Sequence, residues 1–451
     1  MKKIILILAI ISCALPAAAQ DPQTEERTAA YRFTLEDCIE YALGNSFTRK
    51  SMELDERSSR LTLEQSRLER LPSISGSAGE NYSHTKKVTY TDPETGAEIN
   101  TAGGNSWGGN LGLSAGVTLF QGGSINKTIE QNRLQAEQAE VRTAQYDNTL
   151  VVNILSSYFS ILGYQELLDY QESLIEESRQ QVETGKIRAQ AGSILDSDYL
   201  MLEAQLATNE SNIIDTRISL ENEMLTLKGL LSMDMAADLR IAEPRTTEVS
   251  AMAAIPDQLS YMQRAEQTMP DFELLDYSVK LAESSVRIAK SSLWPTLSLS
   301  GSLGTRWGNL PDFGNQLSDN FSQSAGLSLS VPIFNRNRTR TNIEKSKIGL
   351  RQAELDRMQR EIELRQTLTQ AYRNVEASLN KYRTLEVREN AYRETFRVYN
   401  RQFDAGSITA VDLLQQQNNY ISVMYEYVQS KYSFMLRRKI LDVYMGLQIA
   451  M

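Results

Sequence analysis

Histidine occurs once in this chain and cysteine twice. These scarcities close off whole classes of chemistry. His84 stands alone, and no Cys or His cluster has metal-ligand spacing, so zinc sites and histidine-assisted nucleophiles have nothing to draw on. The expectation is a protein that is no enzyme, holds no metal and uses no cofactor. Proline is missing from Glu94 to Glu243 and again after Pro332, which removes the strongest helix breaker from two stretches of well over 100 residues. Beyond the first residues no segment reaches the roughly 18 uninterrupted apolar residues of a membrane-spanning helix. Base is also in deficit, with 47 Lys and Arg against 57 Asp and Glu. An acidic surface argues against a nucleic-acid partner.

The chain opens MKKIILILAIISCALPAAAQD, with two lysines, an apolar run and small residues. Residues 1–20 read as a secretory signal peptide, cut near Ala19 or Gln20. A second reading takes Ile10-Ile11-Ser12-Cys13 as a lipoprotein processing site with Cys13 acylated. Ordinary cleavage removes Lys2 and Lys3, leaves 45 − 57 = −12 charges, and leaves Cys38 without a disulfide partner. Cys38, in LEDCIEYAL, fits the buried face of an amphipathic helix.

What the chain has in abundance is helix. Between Ser124 and Gln190 only Gly163 and Gly185 interrupt, and between Asn335 and Ala405 only Gly349 does. Some 65 helical residues extend about 100 Å. Ile154, Ile161, Leu168, Ile175 and Val182 recur every seven residues, as do Tyr199, Leu206, Ile213 and Leu220, and again Leu413, Tyr420, Tyr427 and Phe434. A strict seven implies helices supercoiled against neighbours. Each long helix ends at a similar octapeptide: AGSILDSD at 191–198 and AGSITAVD at 405–412, with Gly192 and Asp198 lying 214 residues before Gly406 and Asp412. The glycines suit left-handed helix ends, and Ser193-x-x-Asp196 and Thr409-x-x-Asp412 read as capping boxes for the helices that follow.

Between the helices lie four runs of period two. LPSISGSAG (71–79) and WPTLSLSGSLG (294–304) each start at a proline, and NLGLSAGVTLF (110–120) and SAGLSLSVPIF (324–334) answer them. Strands are expected at about 72–82, 110–120, 295–305 and 324–334. One face is apolar, with Leu111, Leu113, Ala115, Val117 and Leu119 in the second run, and the other is Ser, Gly and Thr without charge. Such strands suit a wall with lipid outside and a wet lumen inside. The same parity carried outward reaches Tyr82, Trp107, Trp307 and Phe321, which fit an interfacial girdle. The joining loops, about 81–109 and 305–323, would face outside, His84 among them. Four strands cannot close a barrel, and an open edge is not tolerated in hydrocarbon. Two chains would give eight strands and a filled interior, and three would give twelve and an open one.

These motifs, in this order and in duplicate, resemble the outer-membrane efflux proteins typified by TolC. FTLEDCIEYALGNS (33–46) looks like the opening helix, NLGLSAGVTLFQGG and LSLSVPIFNRNR like strand-to-helix exits, and LKGLLSMD and YMGLQ like the ends of two repeats, 21–243 and 244–451. The resemblance implies an α+β membrane protein. It would be a homotrimer with a twelve-stranded barrel in the outer membrane of a Gram-negative bacterium, continuous with a long α-helical coiled-coil barrel across the periplasm. It would serve as a passive export duct of a tripartite efflux pump or type I secretion system, with a periplasmic adaptor and an inner-membrane pump as partners. The adaptor-docking tips would fall at Gly192, Ser193, Gly406 and Ser407. Asp412 would be an aperture acid. The second acid of that ring is Gln415 here, and the aromatic and arginine of the closing latch fall at Phe403 and Ile408, so closure is expected to use Asp198, Asp412 and Arg188 or Arg401 instead. The rival reading is a trimeric coiled-coil adhesin or stalk at the cell surface.

Overall fold

The structure, a computed structural model, describes residues 31–447 apart from 92, 97, 102, 243–253 and 309–312. The expected signal peptide and Cys13 lie outside the described residues.

Thr34 opens the first helix, α1 (Leu35–Asn45), through a capping box with Asp37. Ser46 then caps α2 (Phe47–Leu68). Pro72 stops it, and the chain enters β2 (Ser73–Thr85), the short hairpin β3 (Val88–Thr91) and β4 (Glu98–Thr101), and β5 (Gly104–Gln121). Next come the long α3 (Ser124–Gln190) and α4 (Asp196–Leu231). A three-residue strand β6 (Leu239–Ile241) pairs in parallel with β1 (Tyr31–Phe33). The order then recurs: α5 (Gln258–Thr268), α6 (Pro270–Ser291), β7 (Thr296–Gly308), the loop helix α7 (Phe313–Asp319), β8 (Ser322–Ser330), α8 (Arg338–Asp404) and α9 (Ala410–Tyr444). Helices α3 and α8 are each 67 residues, and α8 starts and stops 214 residues after α3. Both begin behind residues held at positive φ, Gly123 and Asn337.

Beside the sheet, the helices stand in the order α2, α3, α6, α8, and further along in the order α4, α3, α9, α8. The largest core joins α1, β1 and β6 to α3, α4 and α9 through Leu35, Cys38, Ile154, Tyr158, Leu227 and Met435. Tyr158 keeps its hydroxyl satisfied there by donating to the Ala242 carbonyl at 2.7 Å. A second core, with Phe396, Phe403, Leu413 and Tyr420, lies toward the octapeptide turns. A third seats α5 on α8 and α9 through Tyr261, Tyr372 and Phe434.

The two hairpins form one antiparallel sheet in the order β2-β5-β7-β8. Three details differ from the sequence reading. First, β2 and β5 run on to Thr85 and Gly104, because their ladder continues into the stretch read as loop, so His84 sits on a strand with Nδ1 2.7 Å from Asn105 Oδ1. Second, β8 stops at Ser330 instead of 334, since Pro332 has no N–H to give the ladder. Third, Leu119 is a β-bulge: Thr118 faces Ser298 and Phe120 faces Leu297, so below the bulge Phe120 takes over the apolar parity.

Cys38 tests the first core. It is fully buried, and desolvation, with the charges of Asp37 and Glu36 behind it, pushes its thiol up to about 12. A raised thiol stays protonated and unreactive below that value. Iodoacetamide should therefore leave Cys38 unmodified from pH 7 to pH 10 in the folded protein and alkylate it on denaturation, as read by peptide mass mapping. Alkylation of folded protein at the rate of a free thiol would show that this core opens.

Candidate functional site

The octapeptide turns join each long helix to its successor. Gly192 (φ +69°) and Gly406 (φ +73°) take the left-handed conformation that a side chain resists. Both helices close alike: Gly192 N–H donates to Ala189 and Ser193 N–H to Arg188, while Gly406 N–H donates to Phe403 and Ser407 N–H to Gln402. The starts of the next helices differ. Thr409 and Asp412 form a full capping box, with Asp412 N–H donating to Thr409 Oγ1 at 3.2 Å and Asp412 Oδ2 accepting from the Thr409 N–H at 3.3 Å and from its hydroxyl at 2.7 Å. The box read at Ser193 and Asp196 does not form. Asp196 is the first residue of α4 and the cap is Leu195, which has no side-chain oxygen to accept.

Gly192, Ser193, Gly406 and Ser407 are all exposed, as are Asp412 and Gln415, and Asp198 is half-buried. Phe403 is buried, and Arg188 lies over it with its guanidinium carbon 5.3 Å from the ring centroid. The same guanidinium donates to the Phe403 and Asp404 carbonyls, fastening the end of α3 to the end of α8.

Above the turns, α3, α4 and α9 meet at polar side chains that the heptad pattern alone does not single out. Ser178 Oγ accepts from Asn209 Nδ2 at 3.0 Å and from Gln417 Nε2 at 2.9 Å, and Gln181 Nε2 donates to Asn400 Oδ1 at 3.0 Å. Gln171, one heptad before Ser178, donates to the Tyr425 hydroxyl. All but Asn400 and Tyr425 are buried.

The sheet offers two unlike faces. One carries Ile74, Leu111, Leu113, Val117, Leu299, Leu303, Leu327 and Leu329, most of them half exposed or more. The other carries serine and glycine in rows: Ser75 faces Ser114, Ser114 faces Ser302 and Ser302 faces Ser324, with the outer two pairs bonded hydroxyl to hydroxyl at 2.8 Å. The expected girdle gathers at one end of the apolar face. Tyr82 is paired with Trp107, Trp307 with Gly109, and Phe321 directly precedes β8. A Cβ on Gly109 would stand 2.3 Å from the Trp307 ring, so the ring lies on that glycine. At the other end of the sheet, beside the helix junctions, Leu71, Phe120, Trp294 and Phe334 are exposed, which the sequence reading did not single out. A proline or the bulge stands within two residues of each.

The model of the family "Outer membrane efflux protein" matches residues 38–232 and 261–447. The chain belongs to the outer membrane efflux protein family. Among curated members it is 22% identical to the cation efflux system protein CusC of Escherichia coli K12 over 58% of this chain and 59% of that one, and 22% identical to the outer membrane protein TolC of the same strain over 68% and 63%. The chain thus spans about three fifths of the length of these relatives. The Campylobacter jejuni CmeC outer membrane channel shares its fold at TM-score 0.72 and 16% identity, covering 96% of this chain and 94% of that one. These relatives are by their own descriptions efflux-system and outer membrane proteins.

The two turns of this efflux-family chain should differ in strength. Asp412→Ala or Thr409→Ala removes the capping box and should cost about 1 kcal/mol, with faster amide exchange over the first turn of α9. Asp198→Ala should leave exchange in α4 nearly unchanged. Equal effects at both sites would contradict the asymmetry.

Proposed function

We propose that three copies of this chain form a passive outer-membrane duct, with twelve strands around a wet lumen and the long helices continuing it through the periplasm. The observation that carries this reading is the open sheet: its apolar face is exposed, its opposite face is hydroxyl and glycine, and among the described residues both edge strands, β2 and β8, lack a neighbour on their outer side. Lipid covers the first face, water the second, and further copies of the chain the edges. Three copies give the smallest closed barrel with an open interior.

The helices support the same assembly. At the margins beside the sheet, α2 presents Phe47, Leu54, Leu61 and Leu68 at seven-residue spacing, all exposed, and α8 presents Ile348, Leu355 and Ile362 likewise. Margin α2 leads into edge strand β2, and margin α8 follows edge strand β8. One copy can thus set its α2 seam on the next copy's α8 seam, a head-to-tail contact that closes into a ring.

In this duct the two turns form the periplasmic mouth. Gly192, Ser193, Gly406 and Ser407 face the adaptor, and Asp198, Asp412 and Gln415 ring the aperture, with Phe403 and Arg188 bracing it from behind. The inner-membrane pump supplies cargo and energy, and the duct itself performs no chemistry and holds no cofactor or metal. Residues 21–243 and 244–451 act as two repeats behind the 1–20 leader.

Single-channel recording tests the reading. The purified protein should insert into planar bilayers and conduct, with Asp412→Ala and Arg188→Ala opening the mouth and raising the conductance several-fold. Silence from the wild type and from both variants would defeat it.

A further inference from the structure

On the apolar face of the sheet polar side chains are few, and inward of Tyr82 and Phe321 two stand on the edge strands: Glu80 on β2 and Gln323 on β8, both exposed. Each lies among residues that would face lipid, between Ala78 and Tyr82 and between Phe321 and Ala325. A carboxylate or amide there is costly without a partner.

The partner follows from the geometry of closure, taking the assembly proposed above as given. Four strands at a spacing of about 4.8 Å are some 19 Å wide. With strands inclined at 35–45°, the register must slip by about 13–19 Å, or four to six residues, at each seam between copies. Only an even slip keeps the apolar face apolar.

The strand limits fix its direction. Within the sheet, Leu303 faces both Leu113 and Gln323, and Leu113 faces Gly76, so Gln323 shares a row with Gly76. Carried straight across a seam, Ser322–Ser330 of β8 would face residues 77 to 69, and the last four of these precede β2. A slip the other way drives β8 further into α2. A slip of four toward the loop end sets Ser322–Ser330 against Asn81–Ser73, the whole of β8 on continuous strand.

We propose that the seam between copies takes this four-residue register and that Glu80 of one copy and Gln323 of the next are hydrogen-bonded across it, a polar clasp on the lipid side. The Gln323 amide donates to the Glu80 carboxylate. The neighbouring pairs agree in kind: Ile74 with Leu329, Gly76 with Leu327, Ala78 with Ala325, and Tyr82 with Phe321 at the girdle. On the lumen side Ser73 meets Ser330 and Ser75 meets Ser328, while Ser77 meets Gly326 and Ser324 meets Gly79, so a small, uncharged face of serine and glycine continues across the seam. The six-residue slip would set Gln323 on Tyr82 and Glu80 on Ala325, leaving both polar groups among apolar neighbours.

Cysteine pairs in a Cys38→Ala chain read the register. Ile74→Cys with Leu329→Cys reports four residues, and Gly76→Cys with Leu329→Cys reports six. Mild oxidation should link the first pair into covalent trimers on denaturing gels and link the second far less. Gln323→Glu sets two carboxylates on the clasp and should lower the temperature at which the trimer dissociates by several degrees, and adding Glu80→Gln should restore it. Preferential linkage of the second pair, or a trimer indifferent to Gln323→Glu, overturns the clasp while leaving the duct standing. A wild-type protein that light scattering finds only as monomer overturns the assembly itself.

Discussion

A peptide group in hydrocarbon has no water to bond, and in the proposed duct this one condition governs the sheet. Each backbone N–H and C=O of the two hairpins must meet another strand, and the two outer strands of a four-stranded sheet cannot do so within one chain. Long ladders, a face of leucine and a face of serine are what the proposed placing of that sheet between lipid and water requires. In the proposed duct the margins of the sheet make a protein with its own packed cores into one whose form is completed by copies of itself.

The helices obey a different economy. At 67 residues they exceed what local propensity alone holds straight, and their stability comes from packing along a seven-residue repeat. Where they stop, the chain uses backbone devices: a left-handed glycine and, once, a threonine–aspartate box. Arg188 ties the two stops together by bonding carbonyls at the end of α8, the negative pole of that helix. The same arginine covers the buried Phe403, so the end of one helix and the core beneath it share a fastening.

Much of this architecture is legible in residue order. Proline-free stretches mark α3 and α8, period two marks the strands, and the repeated AGS marks the turns, because each depends on local geometry that a residue type imposes. The failures come where one residue decides between equal local patterns. Leu119 and Phe120 are both apolar, and only the pairing with β7 shows which of them is the bulge. Ser193 has the right chemistry for a cap but stands two residues too early, a matter of where the helix begins. The buried polar layer was invisible for another reason. Ser178, Asn209 and Gln417 are ordinary surface residues in a heptad until three helices from distant sequence converge on them.

That layer also differs between the two halves of the chain. The residues 214 positions after Ser178 and Asn209 are Tyr392 and Val423, and the one 214 before Gln417 is Glu203. Were the two helical hairpins exchanged, a phenol and an isopropyl group would stand where Ser178 and Asn209 do and the Glu203 carboxylate where the Gln417 amide does, and the hydrogen bonds of the layer would be lost. Two hairpins that look interchangeable from their turns are thus made distinguishable from within, as a lock is by a single ward. The chain can count its own halves.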